Sequence, residues 1–277
     1  MRYQLLTYSA VEGLAGLSLI DQVVVLGIVA VLPLAIGGAT WRWVIAGLAV
    51  AVALPQDRGV GAAVLVLPLV GVAAGRTVAL VRDVGPLLFW TRADAARILA
   101  GIYACVAAGA LFQSRLGVRL FGIREPIVEL TAVHYIYAGC GALVLAGYTA
   151  SRRAVVCTAA APPIVAFGFV TGCALPQVGG AVLMAAGVWL TAGLQLGEVL
   201  RGGQRGVRLL LGISGLAIWA PMVLAVAWAA GQHWDIPVLS IHDMARLHGL
   251  PNALAFVVAG LVARKVPKEG APWRSLV

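Results

Sequence analysis

The sequence predicts an all-α, polytopic transmembrane helical bundle, and three observations carry that prediction. Of its 277 residues, 61% are hydrophobic and only 11% are charged, with a mean hydropathy of +0.97. Soluble domains are about 45–50% apolar and about 25% charged. The apolar residues fall in runs that suit bilayer crossings, each of which takes about 20 residues. Finally, the arginines stand singly or in short groups between those runs, as juxtamembrane residues do. Together these features exclude a soluble globule, a disordered chain, a coiled coil and a disulfide-stapled secreted domain.

Taken in order, residues 1–20 form an interfacial segment with Leu14, Leu17 and Ile20 on one apolar face. The opening MRYQLLTYSAVEG has mixed polarity and does not read as a cleavable signal peptide. Spans follow at 22–38, 42–54, 60–81, 97–113, 125–149, 154–175, 178–199, 208–230 and 243–263. The stretch at 42–54 is short for a crossing, so about nine spans become eight without it. Residues 83–96, with Pro86, Phe89 and Trp90, are expected along the interface, and 264–277 make a basic cytoplasmic tail. No stretch is polar enough to stand apart, so residues 1–277 read as a single membrane-embedded domain. Thirty-four glycines suit close helix approach in lipid, and Gly71–Gly75 and Gly168–Gly172 have the small-xxx-small spacing. Such faces pack helices within one chain or between copies in a homo-oligomer. Cys105, Cys140, Cys157 and Cys173 sit within apolar stretches without a CxxC pair and read as small buried hydrophobes.

Threading the nine spans through a bilayer sorts the charges. Fourteen basic residues, from Arg42 to Arg274, fall on one side and six on the other. The positive-inside rule then predicts a cytoplasmic C-terminus and an outer N-terminus, in a multi-pass protein of the bacterial cytoplasmic membrane. The net charge of +9 is read as topology and contact with anionic membrane lipids, with no nucleic acid as partner. Most acids, and all four histidines (His134, His233, His242 and His248), lie on the outer side. Ionisable groups within a bilayer are costly unless paired or wet. Their gathering in one leaflet predicts a polar cavity that opens outward.

Two helices carry the candidate site. The fifth span begins REPIVELTAVHYIYAGCG, and His134 lies about 13 Å beyond Glu125 along the helix axis. Glu125 and Glu129 share a face, Thr131, His134 and Tyr137 share another, and Glu129 and His134 are about 140° apart. The last span begins HDMARLHGLPNALAF. Asp243 and Arg246 are spaced for an intrahelical ion pair, and His248 and Asn252 stand one turn apart. Pro251 and Gly249 predict a kink that frees the Leu247 carbonyl and aims His248 sideways. His233 and His242 border a loop and read as solvated. The bland alternatives are interhelical hydrogen bonding for His134 and His248, a structural pair for Asp243–Arg246, and a helix N-terminal role for Glu125.

At these segments the chain resembles the YndJ-like family of bacterial membrane proteins. VELTAVHYIYAG at 128–139 is similar to that family's Glu-Leu-Thr-Ala and His-rich aromatic motif, and MARLHGLPNALAF at 244–256 to its His-Gly…Asn-Ala motif. By that resemblance Glu129, Thr131, His134, Tyr137, Gly139, His248, Gly249, Asn252 and Ala253 occupy motif positions. Ile136 stands where a second histidine is expected, and Leu247 where a threonine is. The resemblance implies a site and names no reaction.

Three functions compete. An intramembrane acid/base enzyme of isomerase, cyclase or dehydratase type would act on an amphipathic isoprenoid- or polyketide-like small molecule without a cofactor. His134, Glu129, Asp243 and His248 would be its catalytic residues, with Arg246, Asn252, Tyr137, Thr131 and Glu125 holding the substrate. Alternatively, His134 and His248 would ligate haem, although no HExxH or CxxC metal motif is present. The third is a transporter or small-ligand binder gated by the last helix. No Gly-rich phosphate loop favours nucleotide chemistry.

Overall fold

A computed structural model of the chain describes residues 17–119, 122–123, 125–149, 151–237 and 239–266. The expected interfacial segment up to residue 16, Arg124 and the tail from residue 267 lie outside the described residues. Among those described there is no strand, and eight helices are long and apolar enough to cross a membrane. They are α1 (Leu19–Ile36), α3 (Val60–Val84), α4 (Arg92–Leu116), α5 (Ile127–Gly147), α6 (Arg152–Thr171), α7 (Ala174–Arg201), α8 (Arg205–Gly231) and α9 (Ile241–Lys265). The short α2 (Thr40–Ala53) completes the series at the position of the short apolar run. The protein is a multi-pass, all-helical membrane protein, with eight or nine crossings according to how α2 is counted.

Several helices begin before their apolar runs because polar caps start them. Ser18 with Asp21, and Thr91 with Asp94, form capping boxes at α1 and α4, while Ser151 and Ser240 cap α6 and α9. Between α3 and α4, in the stretch expected along the interface, Leu87–Phe89 make a single 3₁₀ turn with Leu87 and Leu88 exposed. The Trp90 indole ties this turn down by donating to the Gly85 carbonyl at 2.9 Å.

Chain direction alternates from helix to helix, so the bundle has two ends of different chemistry. One gathers Asp21, Asp57, Glu125, Asp235 and Asp243; the other gathers Arg42, Arg76, Arg82, Arg97, Arg264 and Lys265. We call them the acidic and the basic end. The core between them depends on close backbone approach. A Cβ at Gly141 of α5 would stand 2.3 Å from Val257 of α9, and one at Gly27 of α1 would stand 2.7 Å from Ile136 of α5. These contacts join segments with widened, π-helical winding: Gly27–Val31, Tyr135–Ala142 and Pro251–Val258. The kink expected at Pro251 is thus absorbed by π-helical turns on both sides of it, Ala245–Gly249 and Pro251–Val258. Such turns shift the backbone pairing and recur at functional sites.

Candidate functional site

A cavity of about 690 Å³ lies within the bundle, walled by α1, α4, α5, α6, α7, α8 and α9. Its rim residues, among them Leu19, Gln113, Ile127, Gln177 and Ile241, stand near the acidic end, and Ala142, Val188 and Phe256 stand deep. Most of the wall is aliphatic or aromatic. The polar groups on it are few: Gln113, Thr131, His134, Tyr135, Tyr137, Gln177, His248 and Asn252. Among the described residues no arginine, lysine or carboxylate lines it.

Both histidines expected at the site face this cavity. The His134 ring is accessible although it lies inside the bundle, because the cavity reaches it. Its Nδ1 is 2.7 Å from the Leu130 carbonyl one turn back, and His248 Nδ1 is 2.8 Å from the Pro221 carbonyl of α8. A carbonyl only accepts, so Nδ1 carries the proton in each neutral ring and Nε2 is left as the base. Asn252 Nδ2 lies 3.2 Å from Nδ1 and 3.4 Å from Nε2 of His248, and its Oδ1 is buried without a partner among the described residues.

The remaining lining residues divide between those already bonded and those still available. Tyr137 donates its hydroxyl to the Val23 carbonyl at 2.9 Å, and Thr131 donates to Ile127 at 2.8 Å. Tyr135 follows His134 in the sequence. It lines the cavity with no hydrogen bond on its hydroxyl among the described residues, its ring edge-to-face with Tyr103 at 5.2 Å. His233, expected to be solvated, donates from Nε2 to Gln177 Oε1 at 2.8 Å near the rim.

The acids stand elsewhere. Glu129 is 3.1 Å from Arg115 in a nearly dry pair, off the cavity wall, with Asp21 as its charged neighbour. The angle of about 140° from His134 turns it to the opposite side of α5. Glu125 accepts from the Glu129 backbone N–H at 3.2 Å and stands 3.9 Å from Arg58, the helix N-terminal role. Asp243 takes a 2.7 Å hydrogen bond from the Ser240 hydroxyl and lies 3.8 Å from His242. Asp243 and Arg246 form no ion pair within 4 Å, and neither lines the cavity, because the cap holds Asp243 toward Ser240. Among the described residues no three His, Cys, Asp or Glu side chains group as a metal site.

Fold and cavity together define a multi-pass helical membrane protein with an internal, mostly apolar chamber that holds two anchored imidazoles. The chain belongs to the YndJ-like family: the model for YndJ-like protein matches residues 22–256, both histidine segments included. Neither a curated protein nor a solved structure matches it.

Proposed function

We propose that the protein is an intramembrane acid/base enzyme of isomerase, cyclase or dehydratase type, acting on an uncharged, hydroxyl-bearing lipophile of isoprenoid or polyketide kind. The observation that carries this reading is the pair of imidazoles, each held through Nδ1 by a backbone carbonyl and each lining the same apolar cavity. Anchoring of this kind sets the tautomer and the direction of the basic lone pair. In an isomerisation, one Nε2 accepts a proton from the substrate. The other imidazole, entering protonated, returns a proton at a second atom, so atoms and charge balance over the cycle. The Tyr135 hydroxyl is a further donor beside His134. Among the described residues the wall carries no cation, which favours a neutral ligand, since a phosphate or carboxylate would lose its hydration without a counter-charge.

The test uses the protein in lipid nanodiscs with the neutral-lipid fraction of its own host membranes, compared by mass spectrometry before and after incubation. Conversion that is present in the wild type and lost in His134→Gln or His248→Gln supports the reading. Full conversion by both variants, or none by the wild type, ends it. Anchored Nδ1 atoms also suit axial haem ligands. A Soret band in the purified protein that disappears in His134→Ala would move the site to that second reading.

A further inference from the structure

A second concavity, of about 490 Å³, lies between α2 and α3 on the outer surface at the basic end. Trp41 and Arg42 line it from α2, and Pro68, Gly71, Gly75 and Arg76 from α3. Gly71 and Gly75 are exposed, and a Cβ added to either meets nothing within 4 Å, so this small-residue face packs on no helix of its own chain. The groove therefore opens toward the surroundings of the bundle.

Its charges lie together at one end. The exposed Arg42 guanidinium is 5.3 Å from the Trp41 ring centroid and forms no ion pair among the described residues. Arg76 donates from Nε to the Ile36 carbonyl at 2.7 Å, and its Nη1 reaches only the exposed Asp83 at 3.6 Å. Lys265 of α9 and Arg97 of α4 stand at the same end of the bundle, outside the lining of the groove. From Pro68 to Arg76 the helix rises about 12 Å. The surface is thus an apolar trough with its two arginines toward the basic end of the bundle.

We propose that this groove binds one anionic phospholipid, its phosphate between Arg42 and Arg76 and the upper part of an acyl chain along Gly71 and Gly75. The trough is apolar where a chain would lie and cationic where a phosphate would lie. A zwitterionic lipid would bring its own ammonium group to the same cations. A second copy of the chain seated here by two-fold symmetry would set Arg42 and Arg76 against their own images.

The full-length protein is melted in neutral detergent, followed by tryptophan fluorescence, while phosphatidylglycerol or phosphatidylcholine is titrated in. The expected result is stabilisation by phosphatidylglycerol alone. Arg42→Gln should weaken the apparent affinity by about fivefold, the effect of one basic residue at a membrane surface. Gly75→Leu, which fills open space, should abolish the response, and Arg82→Gln, the same charge change outside the groove, should preserve it. An equal response in Arg42→Gln and Gly75→Leu as in the wild type overturns the proposal, as does equal stabilisation by inorganic phosphate. A Gly75→Leu protein that changes from dimer to monomer while keeping the lipid response assigns the groove to self-association instead.

Discussion

Replacing Arg115 by methionine tests whether Glu129 belongs to the framework or to the chemistry. The guanidinium makes three buried contacts: the Leu54 carbonyl at 2.6 Å, the Ser114 hydroxyl at 3.1 Å and Glu129 Oε2 at 3.1 Å. It thereby ties the end of α2 and the start of α5 to α4. Its side chain is 5% exposed and that of Glu129 11%. Unit charges at this separation attract by about 5 kcal/mol in an effective dielectric of about 20. Desolvation offsets much of that, but one partner left alone in a dry site costs about 3–5 kcal/mol. An orphaned Leu54 carbonyl adds about 1–3 kcal/mol. Since neighbouring losses share their relaxation, we expect Arg115→Met to lower the unfolding free energy by about 4 kcal/mol. Glu129→Gln keeps an oxygen for Arg115 but removes its counter-charge, so it should cost about 1–3 kcal/mol, less than the loss of the whole guanidinium. Removing both partners in Arg115→Met with Glu129→Leu should recover most of the single-mutant loss. The assay is denaturation by sodium dodecyl sulfate in mixed micelles, followed by circular dichroism. Wild-type stability in Arg115→Met, or an equal loss in Glu129→Gln, refutes the clamp. Glu129→Gln should also retain whatever conversion the cavity performs.

Two further outcomes follow from packing and exposure. Gly168→Ala places a Cβ 2.4 Å from the Gln177 backbone nitrogen, where only a backbone shift can make room, and should cost about 1–3 kcal/mol in the same denaturation; Gly71→Ala, in open space, should change stability by less than about 1 kcal/mol. Cys173 is the exposed thiol among the four cysteines and stands at the acidic end, so a membrane-impermeant maleimide should label intact cells at that position. Labelling only after lysis, with Cys173→Ser as control, would reverse the orientation expected from the arginines.

The number and order of crossings were legible because hydropathy integrates over twenty residues and does not depend on local detail. Helix ends were less so, since a polar cap extends a helix beyond its apolar run, as Thr91 and Asp94 do for α4. The small-xxx-small pattern was legible as a spacing and ambiguous as a contact. Gly168 packs on α7, Gly172 closes α6 at φ 66°, and Gly71 and Gly75 face outward. Sequence spacing is the same in each case, and only the neighbouring helix distinguishes them. The π-helical turns left no trace in the periodicity, because a local change from i+4 to i+5 bonding moves side chains by less than the breadth of an apolar face.

For the site, the histidines line the cavity and the acids do not, and the reason is physical. SIHD at 240–243 and SLID at 18–21 both have the Ser-x-x-Asp spacing of a helix start, so Asp243 and Asp21 had a local role available without a ligand. Glu125 found its partner in the backbone N–H of its own helix, and Glu129 found Arg115, a residue visible in the sequence only as one of several arginines before α5. Asp21, Glu125, Glu129 and Asp243 therefore stand at this end for reasons of framework: each starts a helix or fixes one to another. Subtracting them leaves a chamber with no fixed charge among the described residues of its wall, where two imidazoles and the Tyr135 hydroxyl are free to exchange a proton. That arrangement is selective in itself. An anion meets no counter-charge in the chamber, whereas at the opposite end the surplus arginines favour one. If both proposals hold, the two ends of the bundle would sort amphipathic molecules by headgroup charge, neutral ones at the histidines and acidic ones at Arg42 and Arg76.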